Sequence, residues 1–327
     1  MALLEAQHII VDYVKRHGAS VKAVRNVSLS IQAGEFVALV GESGCGKSTL
    51  GFAMLSLLTP PARLMHGRVV FDGAELTAET AEELRQRRWR DFSVVLQSGM
   101  NALNPVLTIG DQFQDVMKEH EPDLNKAQIR ERINELLGMV HLDTAVAASY
   151  PHELSGGMKQ RVAIALALAL HPKWVLLDEP TTALDVVVQR SILDMLRELQ
   201  KQQGFAVLLI SHDLGLVLDI ADRVMVMYAG KIIEVQSARG MLMHPLHPYS
   251  EALIACYADP QAEVVDIHSI PGAPPDLSRP VIGCPFAPRC TYVMERCRVQ
   301  TPALIGPEDE KVACFLRHDE IEEQVNA

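Results

Sequence analysis

The chain has 327 residues, of which 48% are hydrophobic, enough for one large core and a smaller appendage. Its formal net charge of −11 argues against broad nucleic-acid binding, because that affinity comes mainly from Lys and Arg. No stretch approaches the roughly 18 apolar residues of a membrane-spanning helix. The N-terminus lacks the basic start and apolar run of a secretory signal, so we expect a cytoplasmic location and reduced cysteines.

Strand and helix signals alternate along the first 240 residues. An apolar run at residues 36–40 leads into a glycine-rich turn and a helical stretch at residues 47–58, before two prolines. Further short apolar runs predict strands at residues 68–71, 92–96, 174–177, 205–210 and 223–227. Helices between most of these strands predict an α/β fold with a largely parallel sheet.

Two segments interrupt this alternation. Between residues 97 and 155 the strand signals stop, and apolar residues recur at helical spacing, at Ile129, Ile133, Leu136 and Val140. We therefore expect a helical insertion, at about residues 99–160. The last 87 residues hold eleven of the 18 prolines and five of the six cysteines, which predicts a loop-rich C-terminal extension at residues 241–327.

A phosphate-binding loop is predicted between the strand at residues 36–40 and the helix that follows. Residues 41–49 fit the pattern G-x-x-x-x-G-K-S/T, whose glycines let backbone N–H groups converge on phosphate oxygens. Lys47 is expected to reach the β- and γ-phosphates, and the Ser48 hydroxyl to bind Mg²⁺. The predicted nucleotide-binding residues of the loop are Gly41, Ser43, Gly44, Cys45, Gly46, Lys47, Ser48 and Thr49.

Two further motifs fit ATP hydrolysis. Asp178 and Glu179 end an apolar strand; Asp178 is expected to hold Mg²⁺ and Glu179 to polarise the attacking water. An acidic pair at a strand end is by itself more often merely solvated. Ser155, Gly156 and Gly157 precede an Ala/Leu-rich helix and predict a second anion-binding helix start. On spacing alone an ordinary N-cap is the favoured interpretation of the serine, and only the other motifs outweigh it.

Together these motifs resemble the ATP-binding-cassette (ABC) ATPases over residues 1–240, which implies a P-loop NTPase core with an antiparallel β edge and a helical signature subdomain. The resemblance implies that Tyr13 stacks on adenine, Gln97 contacts Mg²⁺, and His212 contacts the γ-phosphate. It also implies head-to-tail pairs, in which the residue 155–157 signature of one chain closes over the partner's ATP and Asp185 communicates between subunits.

The four cysteines Cys284, Cys290, Cys297 and Cys314 are separated by six, seven and seventeen positions, wider than the paired C-x-x-C of a zinc ribbon. Four thiolates suit tetrahedral Zn²⁺ or a [4Fe–4S] cluster, and buried free thiols are the alternative. The tail motifs His-Pro-Tyr at 247–249 and Cys-Pro-Phe-Ala-Pro-Arg-Cys at 284–290 resemble the peptide, oligopeptide and nickel importer ATPases, which favours the cluster. Cys45 and Cys256 are read as packing residues.

The expected function is that of an ATPase subunit powering an importer of di- or oligopeptides, with nickel-chelate or oligosaccharide importers as alternatives. The implied partners are a homologous second ATPase rather than an identical copy, two transmembrane permeases and an extracytoplasmic solute-binding protein, at the cytoplasmic face of the plasma (inner) membrane. Peptide-importer relatives usually have Asp-Pro after the glutamine, whereas Ser98 and Gly99 follow Gln97 here. A DNA-acting ABC ATPase is disfavoured by the short insertion and the acidic charge.

Overall fold

The computed structural model describes residues 2–14, 20–97, 99–256 and 270–318. The strands are β1 (Leu4–Tyr13), β2 (Val21–Ile31), β3 (Phe36–Val40), β4 (Ala62–Phe71), β5 (Ala74–Glu75), β6 (Phe92–Val95), β7 (Trp174–Asp178), β8 (Ala206–Ser211), β9 (Arg223–Tyr228), β10 (Lys231–Ser237) and β11 (Lys311–Val312). The α-helices are α1 (Lys47–Met54), α2 (Ala81–Arg87), α3 (Gly99–Ala102), α4 (Ile109–His120), α5 (Lys126–Met139), α6 (Gly156–Ala167), α7 (Val186–Gln203), α8 (Leu214–Leu218), α9 (Ala238–Met243), α10 (Pro248–Ala255) and α11 (Glu295–Val299). Within the described ranges, no helix combines the length and apolar character needed to cross a membrane.

The chain forms two compact units, the first of which comprises Met1–Ile31, Val37–Thr77 and Ile210–Ala327. It contains an antiparallel sheet in the order β2-β1-β4-β5. It also contains the strand row β11-β10-β9-β3, in which β3 and β9 are parallel and β10 and β11 are antiparallel additions. All five residues of β3 are buried, as expected for a strand covered on both faces.

The second unit comprises Gln32–Phe36 and Ala78–Leu209. Its strands follow the order β8-β7-β6, with β6 and β7 parallel. The segment predicted to be a helical insertion contains α3, α4 and α5, while its bounds at about residues 99–160 stay a prediction. The four apolar residues predicted to share one face are all buried: Ile129, Ile133, Leu136 and Val140. Asn125 is the N-cap of α5, and its side chain accepts from the backbone N–H groups of Ala127 and Gln128.

The predicted strands are all present, with small shifts at their ends, but the helix predicted at residues 47–58 is too long. α1 ends at Met54, because Ser56 adopts a left-handed conformation with φ of 51° that stops the helix before the prolines. The apolar run at residues 68–71 is only the end of the ten-residue strand β4.

In its described residues, 241–256 and 270–318, the C-terminal tail is made of short elements and loops, as its composition predicts. Its strand β11 adds to β10, with Glu234 opposite Val312. Val312 and Cys314 are buried and pack against Leu246 and Ile305. The predicted boundary between residues 240 and 241 stays a prediction. The first unit contains both the tail and residues 41–49.

Candidate functional site

The phosphate loop connects β3 to α1 and lies directly against the backbone of the first unit. Gly41 and Gly46 have φ of 148° and 109°, conformations that favour glycine. A Cβ on Gly41 would lie 2.2 Å from the carbonyl oxygen of Met227, and one on Gly46 would lie 2.3 Å from that of Ala23. The loop therefore needs glycine at both positions to keep its path.

The start of α1 is arranged to receive an anion. Lys47 is buried, and its Nζ donates to the carbonyl oxygens of Gly41 at 2.7 Å and Glu42 at 3.1 Å. In the described residues no side chain caps the helix at Gly46, and its first turn contains no acidic residue. The N–H groups and the positive end of the helix dipole thus remain directed at a phosphate position.

Three further predicted residues lie in the first unit. The Tyr13 Oη is 3.0 Å from Oγ1 of Thr49, so this tyrosine contacts the phosphate-loop motif directly. Cys45 is buried, and burial raises the pKa of its thiol, which fits a neutral packing residue. His212 is exposed directly after β8. The roles predicted for Tyr13 in adenine stacking and for His212 at the γ-phosphate stay predictions.

The second unit brings the acidic pair and the glutamine together. Asp178 is buried at the carboxyl end of β7, and Gln97 follows the neighbouring parallel strand β6. Parallel strands present their carboxyl ends at one edge, so the two segments meet there. Oε2 of Glu179 accepts from Nε2 of Gln97 at 2.9 Å and from Oγ1 of Thr182 at 3.1 Å.

Glu179 is also held in an uncommon backbone conformation, with φ of 45°. Non-glycine residues rarely adopt this left-handed region, and such strain concentrates at functional sites. Ser98, one of the two residues that replace Asp-Pro after the glutamine, lies outside the described residues.

Ser155 and Asp185 are both N-caps. Oγ of Ser155 accepts from the N–H of Met158 at 3.3 Å at the start of α6, and Oδ1 of Asp185 accepts from the N–H of Val188 at 3.0 Å at the start of α7. A Cβ on Gly157 would lie 2.9 Å from Cγ1 of Val188, so a glycine allows these two helix starts to approach. Ser155 is therefore confirmed as an N-cap, Asp185 also caps a helix, and the roles of both residues between subunits stay predictions.

Two residues of the tail motifs, neither of them predicted as a site residue, also contact the phosphate loop. Arg289 donates from Nη1 and Nη2 to the two carboxylate oxygens of Glu42, each at 2.8 Å. Tyr249, on α10, accepts at its hydroxyl from the Glu42 N–H at 2.9 Å. The C-terminal tail is thus part of the structure that surrounds residues 41–49.

The four predicted cysteine ligands line one cavity. Its other walls are mainly apolar, and include Phe286, Met294 and Phe315. The N–H of Cys284 donates to the carbonyl oxygen of Cys297 at 2.7 Å, which ties two of the cysteine segments together. Four thiols are ligands of the type that Zn²⁺ and iron–sulfur clusters take, so the residue types at this cavity fit a thiolate-bound metal centre.

The thiols are not arranged as a formed metal site. In the part of the chain that the structure describes, no group of three or more His, Cys, Asp or Glu residues is placed to hold a metal ion. Burial raises the pKa of Cys284 and Cys290, and that of Cys314 to about 11, so these thiols are neutral without a metal. A metal would have to displace these protons and draw the sulfurs together.

Comparison with known proteins identifies both parts of the chain. The ABC transporter family matches residues 24–182, and the oligopeptide/dipeptide transporter C-terminal region matches residues 233–297. The dipeptide transport ATP-binding protein DppD of Caldanaerobacter subterraneus subsp. tengcongensis is 40% identical over 96% of this chain and 97% of its own length. The oligopeptide transport ATP-binding protein OppD of Salmonella typhimurium is 39% identical over 98% of this chain and 95% of its own.

Solved structures of ABC ATPases are also similar to this chain. The dimeric post-hydrolysis structure of the ATP-binding cassette MJ0796 with ADP and Pi has a TM-score of 0.65 and 30% identity, covering 72% of this chain and 99% of that one. CbiO1 from Clostridium perfringens has a TM-score of 0.63 and 27% identity, covering 74% and 91%. The chain therefore belongs to the ABC transporter ATPases. It carries, in addition, the C-terminal region of the oligopeptide/dipeptide transporter group.

Proposed function

We propose that this chain is the ATP-binding and ATP-hydrolysing subunit that powers an importer of di- and oligopeptides. The similarity to dipeptide and oligopeptide transport ATP-binding proteins, which extends over nearly the whole chain and includes the tail, carries this proposal. Its partners are two transmembrane permeases, through which an extracytoplasmic solute-binding protein acts. We place the subunit peripherally, at the cytoplasmic face of the plasma membrane.

Each residue predicted for the nucleotide site has its own role in hydrolysis in this proposal. Lys47 binds the β- and γ-phosphates, and the N–H groups of the phosphate loop hold the remaining phosphate oxygens. Oxygen ligands suit Mg²⁺, and Ser48, Asp178 and Gln97 supply a hydroxyl, a buried carboxylate and an amide. The cation would neutralise charge on the phosphates.

Glu179 acts as the general base for the attacking water. Its carboxylate is held by Gln97 and Thr182, which supports a positioned rather than a mobile base. His212 contacts the γ-phosphate and Tyr13 stacks on the adenine.

ATP turnover in this proposal requires a head-to-tail pair with a homologous second ATPase. The signature residues Ser155, Gly156 and Gly157 of one subunit bind the ATP of the other, and Asp185 transmits the state of one site to the next. The observed helix starts support this arrangement, because their N–H groups and dipole attract a phosphate group.

The four-cysteine cavity holds a metal centre, and a [4Fe–4S] cluster is the form we favour over Zn²⁺. Cys284, Cys290, Cys297 and Cys314 are its ligands, supported by their convergence on one cavity with largely apolar walls. The bound group would hold together a tail whose described residues form little regular structure.

Anaerobic purification followed by iron, sulfide and zinc analysis tests this centre. We expect iron and acid-labile sulfide with visible absorption, both lost in Cys290→Ser and retained in the matched control Cys256→Ser, which changes a cysteine outside the cavity. A colourless protein with one equivalent of zinc contradicts the cluster, and a metal-free protein contradicts any metal centre.

Reconstitution with its two transmembrane permease partners tests the transport function of this subunit. The ATPase rate should rise when the solute-binding protein is loaded with di- or oligopeptides. Stimulation only by a nickel chelate or an oligosaccharide would identify that solute class as the cargo instead of peptides. Stimulation by DNA alone would contradict the importer function.

A further inference from the structure

We propose that Arg289 is a positioning residue of the nucleotide site: from the C-terminal tail, it neutralises and fixes Glu42 so that the phosphate loop can accept ATP. The proposal rests on residues 41–49 being the ATP site, and it assigns the tail a direct part in nucleotide affinity.

In the ion pair between Arg289 and Glu42 the arginine is buried and the glutamate is partly exposed. The side chain of Arg289 is 4% exposed and that of Glu42 is 25% exposed. Both N–O distances are 2.8 Å, so the planar guanidinium meets the carboxylate as a two-pronged fork. Nε of Arg289 also donates to the carbonyl oxygen of Pro271 at 2.8 Å, which fixes the guanidinium from its other side.

Glu42 in turn is held through each of its polar groups. Its carboxylate pairs with Arg289, its N–H donates to the hydroxyl of Tyr249, and its carbonyl oxygen accepts from Nζ of Lys47 at 3.1 Å. Tyr249 is fully buried, so this contact is rigid. A displacement of Glu42 would therefore move a carbonyl group that orients the phosphate-binding lysine.

The charge of Glu42 gives Arg289 a second effect. A carboxylate inside a phosphate loop repels the anionic phosphates of ATP unless a cation compensates it. Arg289 supplies that cation, because its guanidinium is charged at any physiological pH and forms two hydrogen bonds with the Glu42 carboxylate. Loss of the arginine would leave an uncompensated negative charge where the triphosphate binds.

The same arginine lies beside the cysteine cavity. It directly precedes Cys290, and its guanidinium lies 5.9 Å from the ring centre of Phe286, a wall of the cavity. The Phe286 ring packs edge-on against Tyr249 at 5.3 Å. The two tail residues that contact Glu42, Arg289 and Tyr249, thus both pack against Phe286 in this wall of the cysteine cavity.

A double-variant cycle on the full chain tests the proposal. Arg289→Met should raise the KM and Kd for ATP about tenfold while kcat changes less than twofold, since the loss acts on binding. Glu42→Gln removes the repelling charge at nearly constant shape. The double variant Glu42→Gln/Arg289→Met should therefore bind ATP within about threefold of wild type. Arg298→Met removes a charge from an exposed position of the same tail and should leave both constants unchanged.

The alternative outcomes are separable. An unchanged Kd with a lower melting temperature in Arg289→Met would make the arginine purely structural, and a double variant as weak as Arg289→Met would exclude action through Glu42; either result overturns the proposal. If Arg289→Met cannot be purified, Arg289→Lys replaces it in the same double-variant cycle. Lysine keeps the positive charge but cannot form the two parallel hydrogen bonds to the Glu42 carboxylate. Unimpaired ATP binding by Lys47→Ala would instead overturn the assignment of the phosphate loop itself.

Discussion

Gln97 donates from Nε2 to Oε2 of Glu179 at 2.9 Å, joining residues that follow the adjacent parallel strands β6 and β7. The sequence assigned these residues separate roles, one as a magnesium contact and the other as the base. The hydrogen bond makes the orientation of the proposed base depend on the glutamine. A shift of the segment after β6 would therefore change the orientation of the Glu179 carboxylate, the proposed base for the attacking water.

Glu179→Gln should retain ATP binding and lose hydrolysis by about 100-fold or more, because the amide keeps the shape but cannot accept the proton of the attacking water. ATP binding without turnover should also trap the closed pair of subunits. Equilibrium binding of a fluorescent ATP analogue, single-turnover hydrolysis and size-exclusion chromatography with ATP measure these three effects.

Glu198→Gln is the matched control for that substitution. Glu198 lies on the exposed surface of α7, so the same chemical change there should leave hydrolysis near the wild-type rate. Multiple turnovers by Glu179→Gln at more than about a tenth of the wild-type rate would exclude Glu179 as the base.

Alanine substitutions at two glycines of the phosphate loop distinguish the effect of a steric clash from that of backbone strain. Both Gly44 and Gly46 have positive φ, 79° and 109°, but only at Gly46 would a Cβ meet backbone, 2.3 Å from the carbonyl oxygen of Ala23. Gly46→Ala should therefore weaken ATP binding far more than Gly44→Ala, for which the structure has open space. Titration calorimetry with Mg-ATP compares them; equal losses would show that strain alone matters.

Much of the fold was predictable because its signals are local. The buried strand β3 is a continuous apolar run, and the face of α5 repeats at helical spacing, so both appear in the sequence. The antiparallel strands β1 and β2 were not located individually, since their half-buried pattern carries register shifts that break simple alternation. The end of α1 was missed because one left-handed serine, not the proline pair, terminates it.

The candidate site was predictable only in part, for a different reason. The phosphate loop and the pair Asp178–Glu179 are contiguous motifs whose chemistry can be read directly. Arg289 and Glu42 are 247 positions apart, and neither belongs to a motif that predicts the other. Only tertiary packing of the tail brings them together, although an arginine placed between prolines and a cysteine was a weak hint.

Ser155→Ala separates helix capping from the proposed contact with the partner's ATP. Loss of the cap should cost about 1 kcal/mol of stability. Thr108→Ala removes an equivalent cap, since Oγ1 of Thr108 accepts from the N–H of Asp111 at 3.2 Å at the start of α4. We expect similar melting temperatures for both variants but a tenfold or greater loss of ATPase rate only in Ser155→Ala. Equal ATPase rates would leave Ser155 as a cap alone.

His247 should make the protein sensitive to acid. It is buried, and its Nδ1 accepts from the N–H of Tyr249 at 2.9 Å, which requires the neutral ring. Burial lowers the pKa of His247 to about 3, whereas the unfolded chain titrates near 6.5. Between these values the unfolded state binds the extra proton. The contribution of neutral His247 to the free energy of unfolding is therefore complete above about pH 6.5. On acidification below that pH it falls by up to about 1.4 kcal/mol per pH unit.

His247→Asn isolates this effect, because asparagine can cap α10 without titrating in this range. The neighbouring Glu234 acts in the opposite direction: burial raises its pKa, so its stabilising contribution is lost as pH rises. Since Glu234 accepts from the backbone N–H of residue 247, its environment should survive the substitution. Urea unfolding from pH 7.5 to 4.5 should give a shallower acid limb for His247→Asn, and parallel curves would show that His247 is not the group whose protonation destabilises the fold.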